Sequence, residues 1–125
     1  MDKTLGKKRW AIPEGYIPRY SHGGVPDLIS HDAICILNAT GQEADIKLTI
    51  YFADRDPVGP YTLTVPARRT KHIRLNDLSD PAPIPRGTGF SSVIESTIDI
   101  VVQHTRIDTR QAENALMTTM AFALD

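Results

Sequence analysis

The chain has 125 residues, room for one domain, and a 41% hydrophobic share that separates it from disordered chains. Its 14 Lys and Arg against 15 Asp and Glu leave a net charge of −1, which speaks against a dedicated nucleic-acid binder, whose affinity comes from phosphate neutralisation. Nine prolines and eight glycines favour many short elements over a few long helices.

Residues 1–12 are basic and lack the apolar stretch of a secretory signal, and no run of 18 apolar residues occurs, so a cytoplasmic location is the expectation. The polar residues 1–7 are expected to be loose. Lys8 to Ile12 reads as a short strand stopped by Pro13. Residues 13–30 carry Pro13, Gly15, Pro18, Gly23, Gly24 and Pro26, with Tyr16 and Tyr20 among them, and read as one long loop of the functional kind.

Ala33 to Leu37 is apolar without alternation, which predicts a strand covered on both faces. Cys35, the only cysteine, lies inside that run. It has no partner for an intramolecular disulfide, and its aliphatic neighbours predict a core thiol, not a nucleophile.

The clearest strand follows a turn at residues 38–41. Ile46, Leu48, Ile50 and Phe52 alternate with Lys47, Thr49, Tyr51 and Ala53, a period of two that a helix does not produce. The turn at residues 54–60 (DRDPVGP) leads to Tyr61, Leu63 and Val65 alternating with threonines, so a hairpin is expected. Arg69 to Leu75 alternates as well. Residues 76–90, with Pro81, Pro83 and Pro85, form a second long loop of stiff, extended backbone.

Two further strands are expected at Ser91–Ser96 and Ile98–Ile107, the latter rich in β-branched residues. Leu116 to Ala123 alternates and is read as a last strand in spite of helix formers just before it. The sum is an all-β single domain over residues 1–125. It is a jelly-roll-like β-sandwich, or a small barrel, of about eight short antiparallel strands with little helix.

No nucleotide-loop, zincin, nucleophile-elbow or paired-cysteine motif is present, so no catalytic residue is assigned and no enzyme or cofactor is expected. His104, Arg106 and Asp108 would share one strand face. There they form either an anion or polyol site or an ordinary surface charge ladder. Arg68, Arg69 and Lys71, with His72 and Arg74, make the densest basic stretch. That stretch suits phosphate, an acidic partner, a lipid surface or a guarded edge strand, with a DNA-contacting regulator as the less favoured reading and His72 and Arg74 as further pocket candidates. Trp10, Glu14 and Tyr16 pair aromatic planes with a carboxylate, the beginnings of a sugar or cation site, although Trp10 fits a core equally well. His22, His31, His72 and His104 match no metal-ligand spacing, so no metal is assigned.

Several segments resemble the sensory rhodopsin transducer family. They are Trp10–Ile12 with Glu14–Pro18, Ser30-His31, Cys35–Asn38, Pro57–Tyr61, Val65–His72, Asn76–Leu78, Pro81–Pro85, Ile100–Arg106 and Arg110–Leu116. The resemblance runs from Arg9 onward, whereas residues 19–28 (RYSHGGVPDL) and the extreme N-terminus depart from it. It implies a β-sandwich assembling into a cytoplasmic homotetramer that takes a signal at the inner face of a microbial rhodopsin. It also implies kinship with carbohydrate-binding sandwiches, and therefore, as the alternative, a module for a small sugar-like ligand. It brings no catalytic residues with it.

Overall fold

The computed structural model describes residues 4–22, 24, 25, 28–111, 113 and 115–124. The tail expected to be loose therefore falls partly outside the described residues, at positions 1–3, as do parts of the 13–30 loop. Eight strands follow one another: β1 (Lys7–Tyr16), β2 (His31–Asn38), β3 (Ala44–Tyr51), β4 (Val58–Val65), β5 (Arg69–Arg74), β6 (Gly89–Asp108), β7 (Ala115–Met120) and β8 (Phe122–Leu124). A single 3-10 turn, Leu75–Asp77, is the helical content of the described residues. The all-β expectation holds.

Every strand pairing among the described residues is antiparallel, and β1, β2, β3 and β7 all pair with β6. The first half of β6 lies between β1 and β3, giving a leaf ordered β4-β3-β6-β1-β8. Its second half lies between β2 and β7, with β5 beyond β2. The sheet is therefore continuous through one 20-residue strand, and the two leaves face each other over a common core. Two separate strands were expected at 91–96 and 98–107. The β-branched run across Val93–Val102 carries the chain from one leaf to the other without a break, because each half finds its own neighbours.

Inward positions follow the alternation. Ile46, Leu48 and Ile50 of β3, Tyr61 and Val65 of β4, and Phe90 and Ile94 of β6 meet Ile34, Ile36, Ile73 and Val102 of the other leaf. Each such side chain, removed from water, contributes about 1.5–3 kcal/mol. Lys71 Nζ donates to the Thr64 carbonyl at 3.1 Å and ties the edge strands β5 and β4 together.

Two expectations about local structure are corrected. Pro13 does not stop β1. Pairing steps from Ile12↔Ser92 to Gly15↔Phe90, so Pro13 and Glu14 together face Ser91 in a bulge. The bulge accepts a residue without an N–H. The Ser91 hydroxyl donates to the Pro13 carbonyl there, and Gly15 is required because a Cβ would lie 2.3 Å from the Phe90 ring. The outer face of β2 is covered only in part: His31 and Ala33 are buried, the positions beyond them are not. Cys35 is half-buried and Leu37 is exposed, so the thiol is not a core group.

Candidate functional site

Asp32, Ile34 and Ile36 share the inward face of β2, which places a carboxylate where its neighbours are core isoleucines. A fully buried carboxylate must find partners, and that of Asp32 has three. Oδ1 lies 2.8 Å from His104 Nε2, and Oδ2 accepts the Tyr16 backbone N–H at 2.9 Å and Arg106 Nε at 3.4 Å. Its own N–H donates to Asn76 Oδ1. His104 and Arg106 come from alternate positions of β6, which pairs with β2 here as Asp32↔Arg106 and Ile34↔His104.

The network extends outward. Arg106 and Arg110 stack over the Tyr16 ring at 5.8 and 5.6 Å, and Arg110 pairs with Asp108 at 2.6 Å. The Arg110 guanidinium, hydrogen-bonded to it, holds the Asp108 carboxyl below its ordinary range. Arg106 Nη2 is buried with no hydrogen-bond partner. Asn76 Nδ2 reaches the Ser30 carbonyl, and the Ser30 and Thr109 hydroxyls, 3.0 Å apart, join the 17–30 loop to the end of β6.

Above His104 lies a cleft of about 230 Å3 where β1 and β7 diverge. Ile12, Pro13 and Glu14 form one wall, and Met117, Thr119 and Met120 the other. The β1 bulge places Glu14 at this rim. The cross-strand pair His104↔Thr119 fixes the hydroxyl beside the imidazole. His104 is 2% exposed, its Nε2 is held by Asp32, and its Nδ1 has no partner among the described residues.

A second polar group sits on the opposite surface of the same leaf. Cys35 Sγ is 3.0 Å from His72 Nδ1, and the His72 and His31 rings meet edge-on. Burial pushes the Cys35 thiol up, which opposes thiolate formation in spite of the nearby imidazole. No group of three or more metal-binding side chains occurs among the described residues.

The structure thus joins His104 and Arg106 through Asp32, brings Glu14 to the cleft above His104, and leaves Asp108 at the margin. His72 and Arg74 lie away from it on β5, opposite Cys35 and Ala33. Trp10 is in the core, its indole donating to the Lys7 carbonyl, so its ring is not open to a ligand. Arg68, Arg69 and Lys71 are exposed in and after the turn into β5, Lys71 being the leaf-bridging residue. Asp32 and Thr119 were missed by sequence reasoning. The signal for Asp32 was its two-residue spacing from Ile34 and Ile36, which predicts a buried, and therefore partnered, carboxylate.

Comparison with known proteins bears on the fold and the family. No curated protein matches the chain. The solved Anabaena sensory rhodopsin transducer is similar at 57% identity and a TM-score of 0.73, covering 82% of this chain and 99% of that one. The crystal structure of Thermotoga maritima 1070 is similar at 32% identity and a TM-score of 0.86, covering 96% and 97%. The sequence model of the Anabaena sensory rhodopsin transducer family matches residues 5–123, and the chain belongs to that family.

Proposed function

We propose that this protein is a non-enzymatic, cytoplasmic signalling protein. It acts as a homotetramer and relays its signal by protein–protein contact, with the inner face of a microbial rhodopsin as the membrane-side partner. Family membership supports the partner class. The observation that carries the contact mechanism is the C-terminal apolar band. Leu116 and Met120, on one face of β7, are 69 and 56% exposed and Phe122 of β8 is 65% exposed, and exposed apolar side chains of this size suit a partner surface. No helix of the described residues is long and apolar enough to cross a membrane. The test is binding to a microbial sensory rhodopsin in lipid nanodiscs, with Phe122→Ser alongside. Saturable binding that the variant weakens supports the reading; absence of binding at micromolar concentration refutes the rhodopsin partner.

The second reading, a small-ligand module, is favoured by the unpartnered Nδ1 of the buried His104 beside the β1–β7 cleft. A thermal-shift screen tests it, since a ligand of the native state raises Tm by mass action.

A further inference from the structure

The walls of the β1–β7 cleft carry no Lys or Arg. The Asp32 carboxylate, which only accepts hydrogen bonds, occupies His104 Nε2 at 2.8 Å. In the neutral imidazole the proton therefore sits on Nε2, and Nδ1 is left as a lone pair on a side chain that lines the cleft. Thr119 adds a hydroxyl as the cross-strand neighbour of His104, and Glu14 adds a carboxylate at the rim. Ile12, Pro13 and Met117 supply apolar walls.

An acceptor at the floor, a carboxylate at the mouth and aliphatic sides between them describe one ligand chemistry: several N–H donors, a positive charge and a short alkyl body. We propose that this cleft binds a primary alkylammonium group, with His104 Nδ1 and Thr119 accepting its N–H donors and Glu14 pairing its charge. The proposal rests on the ligand-binding reading of the cleft, whose wall residue Met120 also belongs to the exposed C-terminal surface. Arg106, next along the same strand face, faces Asp32 and does not line the cleft, so its charge is balanced before a ligand arrives. A sugar hydroxyl could use the same acceptors, Glu14 included, but would leave the Glu14 charge without a counter-charge and the apolar walls idle. An anion would meet the Glu14 carboxylate on entry.

The test is long-range 1H–15N correlation of the histidine ring nitrogens in the full chain. It is titrated at constant ionic strength with n-butylammonium, 1-butanol, butyrate and glucose. The expected result is a saturable shift of the His104 Nδ1 resonance with n-butylammonium alone. Glu14→Gln, an exposed substitution, should weaken it at least about tenfold, the loss of one charge-assisted hydrogen bond. Putrescine and Nα-acetyl-lysine amide then separate a free amine from a lysine side chain of a partner. If glucose or butyrate moves Nδ1 and n-butylammonium does not, the ammonium assignment is wrong while the cleft remains a ligand site. If no probe moves it in a folded protein, both readings fall.

Discussion

Asp32 and His104 stand on neighbouring strands, 2.8 Å apart, with the carboxylate fully buried and the imidazole 2% exposed. A pair so enclosed is costly to form and costlier to halve. Removing one partner leaves the others desolvated and unpaired, which typically destabilises a protein by about 3–5 kcal/mol. Asp32→Asn keeps the shape but removes the charge that faces Arg106, so urea unfolding should show a loss of about that size. The Arg106→Gln, Asp32→Asn double variant should recover part of it. A loss below about 1 kcal/mol for Asp32→Asn would mean that the pair contributes little to the fold.

The β1 bulge makes a second, purely steric prediction. At Gly15 an added Cβ would come within 2.3 Å of the Phe90 ring, itself fixed in the core. Gly15→Ala should therefore cost about 1–3 kcal/mol by overpacking, whereas Gly24→Ala, where a Cβ meets nothing within 4 Å, should change the urea midpoint little. Comparable losses at both positions would show that the effect is not the Phe90 contact. Gly15→Ala, Phe90→Leu should recover stability relative to Gly15→Ala alone.

Stability near neutral pH should depend on His31. Burial, chiefly, lowers its imidazole below the ordinary 6.5; the Ile29 carbonyl opposes this, and Arg74 and His72 reinforce it. With the folded value below the unfolded one, the unfolded chain binds more protons once pH falls beneath 6.5. The His31 contribution therefore erodes stability as pH is lowered through 6.5 toward the folded value, and it is absent above 6.5. Urea midpoints at pH 7.5 and 5.5 should diverge less in His31→Gln, whose amide keeps a donor for the Ile29 carbonyl. An unchanged difference would assign the pH dependence to other groups.

The strands were legible because alternation is a local signal: β3 could be read from Ile46 to Tyr51 and β4 from Tyr61 to Val65, whereas the first residues of β4, Val58–Pro60, read as turn because of their glycine and proline. The fusion of 91–96 and 98–107 into β6 was not legible, since continuity there depends on β1, β3, β2 and β7 lying alongside. The site was half legible. His104 and Arg106 declared themselves as alternate polar residues in an apolar strand, but their shared partner Asp32 is 72 and 74 positions away. The cleft needed the divergence of β1 and β7, and nothing in Glu14 or Thr119 alone announces that they share a cavity. Of the two readings open for Trp10 the core one holds: on a regular strand it would share a face with Glu14, four positions on, but the bulge at Pro13 and Glu14 turns the carboxylate outward while Trp10 stays in the core.

Edge chemistry bears on the proposed tetramer. The edge strand β5 carries Arg69, Lys71 and Arg74, and the edge strand β4 contains Pro60, both devices that discourage pairing with another chain. β7, Ala115–Met120, is exposed at all six positions and has neither a charge nor a proline. With the short β8 it is one of two unguarded edges, and we place the proposed contact between copies at β7, leaving Phe122 of β8 for the rhodopsin-side contact. Light scattering should give four times 13.8 kDa for the native chain. Leu116→Lys, Met120→Lys should give a smaller species with an unchanged strand signature in circular dichroism, because neither side chain is buried. A native monomer at micromolar concentration removes the tetramer, and a double variant that remains tetrameric moves the interface away from β7.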